Sequence, residues 1–112
     1  MAYQRCLLEM GTGVDLHGKN YTKAAQRAVE DALRHCSLSF PRVIGSGADA
    51  MRVEVTIGVQ EPSEVNGDSV LSVLPYGEKH ISVVPGGLNV PNDSGTDSTV
   101  IANAAIIVSM DI

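Results

Sequence analysis

Apolar and polar positions alternate through the first ten residues in the manner of a strand. Cys6, Leu8 and Met10 fall on one side, Arg5, Leu7 and Glu9 on the other. A glycine-rich segment, Gly11-Thr12-Gly13-Val14-Asp15-Leu16-His17-Gly18, follows as a loop. From Thr22, a residue type suited to an N-cap, the period lengthens to that of a helix. Ala24, Ala25, Ala28, Val29, Ala32 and Leu33 form its apolar stripe, and the helix runs to about Cys36. Gln26, Arg27, Glu30, Asp31 and Arg34 make the solvated face, while the alanines let the helix lie close on a sheet. Ser37 to Ala50, with Pro41, Gly45 and Gly47, reads as a connector.

Strict alternation returns at Met51–Gln60, where Met51, Val53, Val55, Ile57 and Val59 face inward and Arg52, Glu54, Thr56 and Gln60 outward. A shorter helix is predicted between Ser63 and Leu74, weakened by Gly67, capped by Asp68 and stopped by Pro75. His80–Val84 reads as a third strand, broken by Pro85-Gly86-Gly87. A polar stretch from Pro91 to Ser98 leads into the last strand, Val100–Met110.

The order β-α-β-α-β-β predicts an α+β protein, a two-layer sandwich with one mixed sheet and two helices on one face, in a single domain over residues 1–112. The uncovered face would carry Arg5, Glu9, Arg52, Glu54, Thr56, His80, Ser82, Asn103, Ser109 and Asp111, mixed with Leu7, Val84 and Ile107. Such a face is either wetted or packed against neighbouring subunits with its charges paired across the contact. The element order resembles the Bacillus chorismate mutase fold, a class that includes methylerythritol cyclodiphosphate synthase. That resemblance implies a homo-oligomer, a homotrimer being favoured, with sites at subunit interfaces.

Composition narrows the partners. Of 112 residues 44% are hydrophobic, with no Trp, one Phe and three Tyr, so the core must be built from small aliphatic side chains. A net charge of −5 without a basic cluster argues against nucleic acid as a partner. No apolar run approaches the ~18 residues that a membrane span needs, and Met-Ala-Tyr-Gln-Arg reads directly into a strand, without a signal peptide. Cys6 and Cys36 sit in predicted elements and read as reduced thiols, consistent with a cytoplasmic location.

Candidate chemistry concentrates in the Gly11–Gly18 segment. A loop between the carboxyl end of a strand and the N-terminus of a helix is a usual ligand position, and glycines let the backbone approach a ligand closely. Asp15, His17 and Lys19 supply a carboxylate, an imidazole and an ammonium within five residues, a workable acid–base set, and Lys23 adds charge for an anion. The bland alternative, a turn capped by Asp15, fits the same spacing. Neither a dinucleotide fingerprint nor a Walker lysine pattern is present.

Asp15 and His17 would project the same way from an extended segment, which makes them candidate zinc ligands. His35 cannot complete that site within the chain. It lies thirteen residues beyond Thr22, about 20 Å along a helix at ~1.5 Å per residue. Only a neighbouring subunit would bring His35 or His80 to the loop. His35 is better read as a cation near a helix C-terminus, and no cofactor is otherwise called for.

The string GTGVDLHG, followed by KNYTKAAQRAVEDAL, resembles a family of short bacterial and plant proteins of unknown function with an N-terminal G-x-G-x-D-x-H-G motif. Gly11, Gly13, Asp15, His17 and Gly18 match it, and Leu74-Pro75-Tyr76-Gly77 and Val84-Pro85-Gly86-Gly87-Leu88 also look family-like. The resemblance implies that the segment matters, without supplying a mechanism. Asn103, a polar residue amid the apolar run Val100–Val108, would need a hydrogen-bond partner if buried, a cross-subunit one being the default.

The leading expectation is an enzyme acting on a small polar or anionic metabolite. Asp15, His17 and Lys19 would be catalytic, with Gly11, Gly13, Gly18, Lys23, Gly86 and Gly87 binding the ligand. A non-catalytic ligand-binding or oligomer-assembly module and a metal-binding protein are the alternatives.

Overall fold

The computed structural model describes residues 3–34, 51–74 and 77–111. Strand β1 (Tyr3–Asp15) is followed by helix α1 (Tyr21–Arg34), strand β2 (Met51–Val59), a 3-10 turn (Pro62–Glu64) and the short helix α2 (Gly67–Leu71). Strands β3 (Glu78–Pro85), β4 (Leu88–Pro91) and β5 (Ser98–Asp111) complete the order. The expectations for His35, Cys36, the 37–50 connector, Pro75 and Tyr76 lie outside the described residues.

One mixed sheet runs β1-β5-β2-β3, with β4 also paired to β5. β5 is antiparallel to β1, β2 and β4, while β2 and β3 are parallel. The mixed α+β architecture with two helices is as the sequence predicts; the added strand β4 is a correction. Its Leu88–Pro91 run is short, sits between glycines and a polar turn, and pairs only through β5.

The inward-facing residues of β2 and β5 meet the alanine stripe of α1. Ile57, Val59, Val100 and Ala102 are buried on the sheet side, and Ala24, Ala25, Ala28, Val29 and Ala32 on the helix side. Both helix caps differ from expectation. Asn20, not Thr22, caps α1 by accepting the Lys23 N–H at 2.9 Å, and Asn66, not Asp68, caps α2 by accepting the Ser69 N–H at 3.1 Å. Thr22 acts between the helices instead. Its hydroxyl accepts the Asn66 N–H at 2.8 Å, tying the start of α1 to that of α2.

Two corrections concern β1. A register shift between Arg5 and Leu7 inserts one residue, which exchanges the two sides of the strand beyond it. Leu7 therefore packs on the core, and Glu9 pairs with the inward-facing Ile106. Leu8 and Met10 are left on the uncovered face, 60% and 68% exposed. The strand also runs on through Gly11 and Gly13 to Asp15, so the loop begins only at Leu16. As the sheet's outer strand, β1 has its Thr12 N–H taken by the Asp31 carboxylate of α1 at 3.0 Å.

Candidate functional site

Gly11, Gly13 and Asp15 alternate on the face of β1 that lies under α1, and all three are buried. A methyl group on Gly13 would lie 2.8 Å from the carbonyl carbon of Arg27, and closer still to the Ala24 carbonyl oxygen and the Ala28 nitrogen. On Gly11 it would lie 2.5 Å from the Ala32 nitrogen. These glycines serve helix–strand contact: backbone presses on backbone where a side chain would separate the layers.

Asp15 faces the same way. Its carboxylate accepts the Asn20 N–H at 2.9 Å and stands 3.7 Å from the Arg27 guanidinium. Arg27 also donates to the Val14 carbonyl at 2.6 Å. Asp15 thus braces the turn into α1 from below, with its side chain 7% exposed. Replacing it by alanine would strand the Asn20 N–H, and the expected loss is about 2 kcal/mol. Chemical denaturation should show it, with Asp15→Asn, which keeps an acceptor, losing less than half as much.

The exposed tip is different. His17 is 90% exposed, and its Nδ1 lies 3.9 Å from Asp97 Oδ2. The Gly18 N–H donates to that same oxygen at 3.0 Å, and the Ser98 N–H donates to Oδ1 at 2.8 Å. Asp97 closes the β4–β5 turn, in which Asn92 Oδ1 accepts the Thr96 N–H at 3.1 Å. Gly18 and Lys19 both have positive φ, 87° and 51°, which turns the tip back toward α1.

The N–H donors of Gly18 and then Ser98 hold the Asp97 carboxyl below its ordinary value of 3.8. Partial desolvation opposes them, while the charges of His17 and Lys19 pull the same way. A depressed carboxyl stabilises the fold above its unfolded pKa and loses that contribution as pH falls through the folded one. The contact between the two loops should therefore loosen below pH 3.8. In an acid titration, the Gly18 and Ser98 amide resonances should move together with a midpoint below that value; a midpoint at or above it would contradict the geometry.

The structure brings together His17, Gly18, Lys19 and Asp97, and it leaves other sequence-predicted residues elsewhere. Asp15 and His17 do not converge: one is turned under α1, the other is in solvent beside Asp97. No three His, Cys, Asp or Glu side chains gather in a metal-ligating group among the described residues. Lys23 is exposed on the first turn of α1. Gly86 and Gly87 carry the chain across the end of β2, where Gly86 would press a methyl to 3.0 Å from the Gly58 Cα. Gln60 Nε2 donates to both of their carbonyls, at 3.0 and 3.2 Å.

Asp97 was not legible as a site residue. It stands in a polar run whose only signal was the turn chemistry of Asn92, Ser94 and Gly95. Asn103, expected to seek a partner if buried, is exposed on the uncovered sheet face.

A family model described as "Conserved hypothetical protein (Lin0512_fam)" matches residues 5–108, all but the ends of the chain. The chain belongs to that family. A comparison with curated proteins finds no match. Among solved structures, the Lin0512 family chain is similar to an FtsZ-like protein of unknown function from Nostoc punctiforme. The two share 38% identity, with 100% of this chain and 99% of the other covered and a TM-score of 0.88. No helix among the described residues is long and apolar enough to cross a membrane.

Proposed function

We propose that this member of the Lin0512 family is a cytoplasmic protein that acts on a small polar or anionic metabolite at the tip between β1 and α1. The observation that carries this reading is the position of His17 beside Asp97. The carboxylate, fixed by two backbone N–H groups, stands 3.9 Å from the imidazole Nδ1, an electrostatic contact beyond hydrogen-bond reach, and the exposed ring offers Nε2 to solvent as a proton donor or acceptor. Lys19, and Lys23 on the first turn of the helix, supply positive charge for an anionic group, and Gly18 sets the turn. Asp97 is the carboxylate of this group, whereas Asp15, expected there as a catalytic residue, is turned under α1.

Inorganic phosphate and a small dicarboxylate serve as probes. Each should shift the His17 ring and Lys19 amide resonances saturably in the millimolar range, an affinity of roughly 4 kcal/mol. His17→Ala and Lys19→Ala should each weaken binding by about tenfold, the effect of one charged contact. Asp15→Asn, if folded, should leave binding unchanged. Wild-type protein that shows no saturable shift with either probe would overturn the reading.

A further inference from the structure

At the tip between β1 and α1, the place where an anion would be held best is already taken. Two groups converge on a single atom, Asp97 Oδ2. The Gly18 N–H donates to it at 3.0 Å, and His17 Nδ1 lies 3.9 Å from it. The charge of Lys19 acts on the same carboxylate. Under the function proposed above, His17 and Lys19 would receive an incoming anion, so an oxygen of that anion and Asp97 Oδ2 compete for one position.

The contacts that hold Asp97 are of two kinds. The Ser98 N–H, 2.8 Å from Oδ1, belongs to the next residue and travels with Asp97. The Gly18 N–H belongs to the other loop, 79 positions away in the chain. The turn that carries Asp97 is braced from within. The Asn92 N–H donates to the Asp97 carbonyl at 2.9 Å and the Gly95 N–H to the Asn92 carbonyl at 3.0 Å, while Asn92 Oδ1 accepts the Thr96 N–H at 3.1 Å. None of these bonds reaches the tip, so the turn can swing away as a unit and keep them all. Residues 91–96 of the turn and 16–20 of the tip are exposed, and their separation uncovers little apolar surface. Only the Gly18 bond and the attraction of His17 and Lys19 are given up, and a bound anion restores these to the tip.

We infer, resting on that proposed function, that Asp97 is an internal stand-in for the ligand's anionic group, an autoinhibitory latch that an incoming oxyanion must displace from Gly18 and His17. The occupant is a phosphate or carboxylate group, which presents one charged oxygen to an N–H donor as Asp97 does. Because backbone donors hold its carboxyl below the ordinary value, Asp97 stays ionised through the neutral range and competes continuously. The apparent affinity for the anion then falls with the fraction of molecules whose latch is open.

Inorganic phosphate, titrated at neutral pH against the full chain and followed by the His17 ring and Gly18 amide resonances, tests the latch. Asp97→Ala should bind roughly tenfold more tightly than wild type, as when an open form about one-tenth populated becomes the only form. Asp93→Ala removes an equal charge from the same turn but leaves the Gly18 bond in place, and should change affinity by less than about twofold. Asn92→Ala keeps every charge but removes the turn's brace, and should also tighten binding. In wild type, saturation should displace the Gly18 amide resonance more than that of Ser98, whose bond to Asp97 is kept. If wild type binds phosphate and a folded Asp97→Ala protein binds it no more tightly, the latch is overturned while the proposed function stands. Equal gains from Asp97→Ala and Asp93→Ala would also overturn it, since they mark a diffuse field effect. Phosphate binding by neither protein would overturn the latch together with the phosphate arm of the proposed function. Binding by Asp97→Ala alone would support a latch that phosphate cannot open.

Discussion

Gly13→Ala should cost about 3 kcal/mol or more, at or beyond the upper end of ordinary overpacking, and lower the melting temperature by roughly 12 °C. The size follows from what the added methyl would meet. A crowded side chain can change rotamer, but the atoms above Gly13 are backbone of α1: the Ala24 carbonyl oxygen, the Ala28 nitrogen and the Arg27 carbonyl carbon. Relief requires the helix to lift off β1, which opens the contacts of Ala24, Ala25 and Ala28 as well. Gly18→Ala is the informative control. It has φ +87 but nothing within 4 Å of the added atom, so it carries only the left-handed backbone penalty of about 1 kcal/mol. Thermal melts of the two variants separate a packing role for the first glycines from a conformational role for the last. A Gly13→Ala protein as stable as wild type would mean that α1 does not press on β1 as described.

Gly87→Ala is expected to be nearly as damaging, also about 3 kcal/mol, from overpacking and backbone strain together. Gly87 adopts φ +60, and a methyl there would lie 2.9 Å from the Gly58 carbonyl oxygen, 3.2 Å from the Ile101 carbonyl carbon and closer still to the Ile101 oxygen. The chain has little alternative route. It leaves β3 on the far side of β2 and must reach β5, passing over the end of β2 where Gly86 rests on Gly58. Beyond it, Leu88 must pair with Ile101. Displacing this crossing should loosen β4 and the turn that carries Asp97. Amide exchange at Gly18 and Ser98 should then rise by more than at Val55 or Ile57 in the centre of the sheet. Uniform loss of protection, or none, would contradict this local chain of consequences.

The two glycine predictions also show what the sequence made legible. Glycines at alternate positions are compatible with a ligand-cradling loop and with a strand crossed closely by a helix. As sequence, Gly11 and Gly13 look like ligand-binding residues, but in the structure the stripe at Ala24, Ala28 and Ala32 is what lies against them. Period-two alternation placed β2 and most of β5 correctly, since their inner faces are continuous and aliphatic. The face assignment of β1 failed at one inserted residue, which composition does not mark. Helix caps were misplaced by two positions because Asn20 and Asn66 cap as well as Thr22 and Asp68 would, and the second helix, expected between Ser63 and Leu74, is confined to Gly67–Leu71. His17, Gly18 and Lys19 were legible as a group. Their carboxylate partner was not, because Asp97 is 80 positions away from His17, and only the pairing of β5 with β1 brings it there.

The carboxylate of Asp31 on the Thr12 N–H has a bearing on how this molecule meets its own kind. A thirteen-residue outer strand is a template on which further chains can add end over end, the first step toward fibrils. Here a helix side chain occupies one of the strand's outward donors and plants a negative charge beside it. Growth along the rim is thereby discouraged at the one strand whose length would most invite it.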